Sequence, residues 1–305
     1  MNRNLGKTAT IFMILALAAL AVGLRASIDR VADAGPTTAP ISPITYELVE
    51  RQNPPLHLHF VTVNLRDPRV RLRVCPGGLD PDGPGPWQTT IKPVSKISEE
   101  NNLAAAVNGN FFGCKDAHTF AGRKIPYFTG NWARVTDWAM TDGRLWGHTD
   151  SGGHSLLVTR DGHVSIEFFP TNKPLPKDAW QVASGSELIV KDGKTCGTAL
   201  DLAPRTVVGL NRDASKLVML VVDGRKSDYS VGMTSIEAGK EMIARGCTVA
   251  LNLDGGGSST MVVRDPVTGT LRVVNRPSDG HDLPISMSIE RPVACALGVE
   301  LVERK

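Results

Sequence analysis

Between Thr248 and Met261 the chain reads Thr-Val-Ala-Leu-Asn-Leu-Asp-Gly-Gly-Gly-Ser-Ser-Thr-Met. Val249, Leu251 and Leu253 alternate onto one face, and Ala250, Asn252 and Asp254 onto the other, so the first half predicts a strand. That strand runs without a break into Gly255, Gly256 and Gly257. Ordering three successive glycines is entropically costly, because each loses more backbone freedom than any other residue. An ordered chain carries them where backbone must turn sharply or come very close to something. A flexible linker does not usually follow an alternating apolar strand directly. The stretch therefore predicts the floor of a binding site, with Asp254 at its lip.

A hydrophobic share of 41% over 305 residues supplies enough apolar material for a sizeable core. The net charge of +3 is too mild, and basic runs too scarce, for a nucleic-acid partner. Residues 1–26 predict a secretory signal or an N-terminal membrane anchor. Arg3 and Lys7 precede an uncharged apolar run from Thr8 to Leu24, and Leu24-Arg25-Ala26 is a poor cleavage site. Residues 27–43, rich in Ala, Pro, Thr and Ser, read as a linker. The body, 44–305, is then expected in an exported compartment. Such a compartment permits disulfides, and of the five cysteines Cys114 and Cys196 are the candidates for a bridge.

Within the body, Leu56 to Leu65 and Val70 to Val74 both alternate with period two around Asp67-Pro68, which predicts a hairpin. His57 and His59 fall on its polar face and read as solvated strand histidines. Thr89 or Thr90 is expected to cap a helix carrying Ile91, Val94 and Ile97. A short buried strand, Ala104 to Val107, leads into Asn108-Gly-Asn-Phe-Phe, a polar turn with paired aromatics. Residues 113–183 hold four of the five tryptophans (Trp132, Trp138, Trp146, Trp180) and read as a loop-rich insertion.

Arg205 lies on a strand beside a glycine, as a paired core arginine or an anion ligand. Lys216 to Val222 is a continuously apolar strand ending at Asp223-Gly224-Arg225. Thr234-Ser-Ile-Glu237 then forms a capping box, Gly246 stops the helix, and the Thr248 strand follows. This is a strand–helix–strand unit. It brings Asp223, Arg225, the helix start at Thr234 and Asp254 to one edge, where free N–H groups favour anions. The expected fold is α+β: a mixed β-sheet core with flanking helices, one βαβ unit and a loop-rich insertion.

The carboxylates, arginines and glycine amides suit an anionic substrate. Ser258 lacks the second glycine of a G-x-S-x-G elbow, and no Lys follows the glycines to make a phosphate-binding loop of the Walker type. Acidic side chains beside a phosphate leave room for a divalent metal, although no ligand spacing demands one.

Several motifs occur together: Asn108-Gly-Asn-Phe-Phe, Arg205-Thr-Val-Val-Gly, Asp223-Gly-Arg225, Gly232-Met-Thr-Ser-Ile-Glu237, Asn252-Leu-Asp254-Gly-Gly-Gly-Ser-Ser and Asn275-x-Pro277. In this order they resemble the phosphodiester glycosidase family. The Asn252–Ser259 motif is the specific one, and Asn110 stands where the family more often has glycine. The resemblance implies hydrolysis of a sugar-1-phosphodiester at the sugar–oxygen bond. Asp254 is then the expected catalytic carboxylate, with Glu237 and Asp223 as further acidic candidates. Asn108, Arg205, Arg225, Thr234, Asn252, Gly255, Gly256, Gly257, Ser258 and Asn275 are the expected substrate contacts. A non-catalytic binder of anionic glycan, and a phosphoesterase cutting the P–O bond, are the alternatives.

Overall fold

A computed structural model describes residues 42–120, 122–147, 152–279 and 288–303. The expected signal or anchor lies outside the described residues, as do nearly all of the linker, His148 and His281. Among the described residues no helix is long and apolar enough to cross a membrane.

Strands dominate. The described residues form twenty-two strands and two α-helices, Val94–Glu100 and Ser235–Ala244. The expected α+β fold with flanking helices is therefore corrected to a mostly β architecture. The reason lies in the continuous and alternating apolar runs, nearly all of which find antiparallel partners.

The first sheet has seven strands, in the order Ile44–Gln52, Pro55–Asn64, Lys216–Val222, Arg205–Leu210, Val249–Asn252, Glu187–Lys191 and Lys194–Thr195. Every neighbouring pair is antiparallel. Lys216–Val222 is central and buried on both faces from Leu217 onward, as its unbroken apolar run requires. One face packs Phe60, Val207, Leu220 and Ala250 against Ala238 and Met242 of helix Ser235–Ala244. The other face packs Val208, Met219 and Leu251 onto a second, five-stranded sheet through Val74, Val107 and Leu297. The order of that second sheet is Leu271–Val273, Met261–Arg264, Leu103–Asn108, Cys295–Leu301 and Val70–Pro76. Helix Val94–Glu100 covers its far side with Val94 and Ile97.

Four expectations change in detail. Strands Pro55–Asn64 and Val70–Pro76 do not pair as a hairpin; the chain leaves one sheet at Asn64 and enters the other at Val70. The strand–helix–strand unit is present, but its strands are not neighbours. Both are antiparallel to Arg205–Leu210, which lies between them, so they run parallel with one strand intervening. Thr89–Thr90 is a short strand, and the helix begins at Val94 after Pro93. Residues 113–183 are not loop-rich. They contain a further five-stranded sheet whose Leu156, Val158, Val164, Ile166 and Ala183 join the largest core cluster.

Candidate active site

The loop from Asp254 to Thr260 leaves the seven-stranded sheet after Asn252 and enters the five-stranded sheet at Met261. It therefore crosses the rim between the two sheets, where neither ladder can hold it. Side chains do so instead. Asn108, the fully buried last residue of its strand, donates from Nδ2 to the Asp254 carbonyl at 2.6 Å. Its Oδ1 accepts the Thr260 N–H at 3.2 Å and the Thr206 hydroxyl at 2.7 Å. The Asp254 N–H reaches the Gly109 carbonyl at 3.1 Å, and the Gly256 N–H reaches the Pro204 carbonyl at 2.9 Å. Asn275 fixes the far end, accepting the Met261 N–H at 2.8 Å and donating to the Ser259 carbonyl at 3.0 Å.

Each glycine of the triplet has a steric reason. A methyl at Gly255 would stand 2.9 Å from the Pro204 carbonyl oxygen. Gly256, with φ +59°, lies under the Arg225 guanidinium, and a methyl there would stand 2.8 Å from Nη2. A methyl at Gly257 would collide with the Asp279 carboxylate and the Arg291 guanidinium. Bare backbone thus lets two arginines close on the loop.

The Asp254 carboxyl is held within this crossing. Burial pushes it up to about 6, against pulls downward from the Ser258 hydroxyl, the Arg291 charge and the Gly255 N–H. Arg291 is itself positioned by a two-pronged ion pair with Asp279, at 2.7 and 2.8 Å, and lies 3.9 Å over the Tyr127 ring. Arg225 is exposed, and among the described residues no hydrogen bond or ion pair occupies its guanidinium. Arg291, Asp279 and Tyr127 were not among the expected site residues. The pair spans twelve positions, and only the need for bare backbone at Gly257 signalled that something must approach there.

Other expected residues take different places. Asp223 is buried and saturated. It meets His59 Nε2 at 3.1 Å and accepts from Tyr229 hydroxyl at 3.1 Å, Asn275 Nδ2 at 3.0 Å and the Arg276 N–H at 3.0 Å. His59, expected in solvent, is buried, and its Nδ1 meets the Tyr46 hydroxyl at 3.0 Å. Arg205 is the paired core arginine of the two readings. Nε donates to the Met233 carbonyl at 3.0 Å, and Nη2 to the Asp201 carbonyl and carboxylate, both at 2.8 Å. Its side chain shares the helix-facing side with Val207, and among the described residues no hydrogen bond or ion pair joins it to Asp254.

Thr234 and Glu237 form the capping box. The Glu237 carboxylate accepts the Thr234 N–H at 2.9 Å and its hydroxyl at 2.8 Å. The buried Asn252 donates from Nδ2 to Ser186 Oγ at 3.1 Å. Asn110 is also buried and donates to the Thr136 and Trp138 carbonyls, each at 3.0 Å. Cys114 and Cys196, expected to bridge, are free thiols. Among the described residues no three His, Cys, Asp or Glu side chains gather as a metal cage.

The sequence profile of the phosphodiester glycosidase family matches residues 101–300. The chain belongs to this family. Comparison by sequence with curated proteins returns no match. Among solved structures, similarity extends to the catalytic domain of zebrafish N-acetylglucosamine-1-phosphodiester alpha-N-acetylglucosaminidase, in a form auto-inhibited by its pro-peptide. There the TM-score is 0.61 and the identity 21%, covering 88% of this chain and 85% of that one. A Burkholderia pseudomallei protein described as exported gives a TM-score of 0.53 at 16% identity, covering 81% of this chain and 74% of that one. A hypothetical protein from Synechocystis gives 0.50 at 14% identity, covering 85% of this chain and 62% of that one. At these identities the structural likeness speaks for the fold.

Removing the Asn108 side chain leaves the Thr260 N–H and the Asp254 carbonyl without their buried partner. Asn108→Ala is expected to lose about 3 kcal/mol in a urea titration. An unchanged midpoint would show that other bonds hold the crossing.

Proposed function

We propose that this phosphodiester glycosidase family member is an exported hydrolase that cleaves the sugar–oxygen bond of a sugar-1-phosphodiester, acting on envelope or extracellular glycan. The observation that carries this reading is the Asp254 carboxyl, raised to about 6 on a loop flanked by the Arg225 and Arg291 guanidiniums. The expected leader at residues 1–26 supports export.

The chemistry suits such a site. Ordinary glycosidases use two carboxylates because an alcohol leaves poorly and needs a proton. A phosphate monoester leaves as a stable anion and needs positive charge and N–H donors instead. One carboxylate then suffices. Above pH 6 Asp254 is ionised and either activates water or stabilises the developing cationic sugar. Arg225, lacking an ion partner among the described residues, is suited to take a phosphate oxygen, and Arg291 adds charge held rigid by Asp279. Asp223, Glu237, Asn108 and Arg205 support the site through the hydrogen bonds they already make, and no chemical step is assigned to them.

Asp254→Asn is expected to abolish release of sugar from a sugar-1-phosphodiester; full turnover would remove Asp254 from the mechanism. In the parent, kcat should rise with pH through about 6 as the carboxyl ionises. Stability should move the other way. The folded carboxyl is raised from 3.8 to about 6, so its protonated form favours the fold. That contribution is complete below the unfolded value and is lost as pH rises through about 6, a change of about 3 kcal/mol. Asp254→Asn should therefore melt at or above the parent temperature at pH 7.5; a large drop would contradict the burial argument.

Gly257→Ala should push the Arg291–Asp279 pair out of place and lower turnover about 100-fold. Undiminished turnover would mean that Arg291 does not serve the reaction. Hydrolysis in ¹⁸O-water should put label into the sugar; label in the phosphate would assign the enzyme to P–O cleavage.

A further inference from the structure

The five tryptophans are not equivalent. Trp132 lies under Lys115 Nζ at 3.6 Å, and Trp180 lies under the Arg160 guanidinium at 4.3 Å. Trp138 and Trp146 anchor their indole N–H groups, to the Phe169 carbonyl at 2.8 Å and to Thr141 Oγ1 at 2.9 Å. Trp87 has no such partner for its ring among the described residues; only its backbone N–H is engaged, with Asp82 at 3.4 Å. It is half-buried, and it lines two surface clefts at once. A half-buried indole with a free N–H and clefts on both sides is built to meet something outside the chain.

The surroundings of Trp87 define the chemistry of that partner. The first cleft is lined by Trp87, Phe111, Phe112 and Arg134 and contains no carboxylate. The second is lined by Trp87, Leu145, Trp146 and Arg144. Arg134 and Arg144 are exposed and carry no ion pair among the described residues. The two carboxylates of the second cleft are already engaged: Asp142 pairs with Arg73 at 3.0 Å, and Asp80 accepts the Asp82 and Gly83 N–H groups at 3.1 and 2.8 Å. Apolar ring faces beside unpaired guanidiniums match a ligand that alternates flat apolar faces with anions. The first cleft also begins close to the proposed catalytic loop. Phe111 follows Gly109 by two residues, at most about 7 Å of extended chain, and the Gly109 carbonyl holds the Asp254 N–H.

We propose that Trp87 and Arg134 form a secondary sugar-binding subsite for an extended anionic glycan. A pyranose ring stacks on the Trp87 indole and a phosphodiester of the next repeat meets Arg134, with Arg144 continuing the track. This rests on the phosphodiester reading of the Asp254 site and assigns it a polymeric rather than a single-sugar substrate.

The test compares two probes on the full chain: a sugar-1-phosphodiester bearing one sugar, and an oligomer of several sugar-phosphodiester repeats. Trp87→Ala should raise KM for the oligomer about tenfold and leave kcat/KM for the single-sugar probe unchanged. Trp87→Phe should keep most of the oligomer affinity. Arg134→Gln should weaken oligomer binding and flatten its dependence on salt. Equal losses on both probes, or no loss on the oligomer, would overturn the subsite. Calorimetric binding of the oligomer is read independently of turnover. If the parent cleaves neither probe but binds the oligomer through Trp87, the catalytic reading fails and the subsite stands. If the oligomer does not bind at all, the subsite fails.

Discussion

Asn108 joins pieces of backbone that belong to different sheets. Its amide holds the Asp254 carbonyl just after the seven-stranded sheet, and its carbonyl holds the Thr260 N–H just before the five-stranded one. The rest of the site depends on that clamp. A loop crossing between two packed sheets has no ladder to satisfy its polar groups, and buried groups left unpaired are expensive. Asn108, Asn275 and the Pro204 carbonyl supply what the ladders cannot. Once the loop is fixed, its glycines expose backbone to Arg225 at Gly256 and to the Arg291–Asp279 pair at Gly257. The Asp254 carboxyl is then held largely out of water, and that burial raises its pKa against the opposing pull of the Arg291 charge.

A second network supports the first. Asp223 gathers His59, Tyr229, Asn275 and the Arg276 N–H, and Asn275 passes the constraint on to Ser259 and Met261. A buried carboxylate with this many donors is stabilised in place rather than available for chemistry. Arg205, buried, and Glu237, exposed, also spend their side chains on nearby backbone. Each carries a functional residue type at a family motif position, and each bonds backbone. Motif membership therefore mixes residues that could touch a substrate with residues that shape the loop that does.

How much was legible in the sequence varied with the range of the interaction. The apolar run Lys216 to Val222 announced a central strand, and the capping box at Thr234 and Glu237 formed as read, because both depend on neighbours a few residues away. The Pro55–Asn64 and Val70–Pro76 strands were individually visible, but their pairing was not. Period-two patterning gives the face a residue occupies and not which sheet the strand joins. The segment 113–183 looked peripheral because its glycines and tryptophans hide short strands, and only packing shows Leu156 and Ile166 inside the main core. His59 looked solvated for the same reason: its partner Asp223 is 164 residues away.

The sequence by itself determined that the strand from Val249 ends in a bare glycine turn with Asp254 at its start, and that Asp223, Arg225 and the Thr234 helix cap belong to the same strand–helix–strand unit. Local periodicity, capping chemistry and the entropy of glycine were enough for that. Only the tertiary structure decided which charges face the turn. It removed Arg205 to the helix side, saturated Asp223, and brought Arg291 and Asp279 against Gly257. Side-chain direction at a sheet rim is set by which strands become neighbours, and that pairing is a property of the whole packed chain.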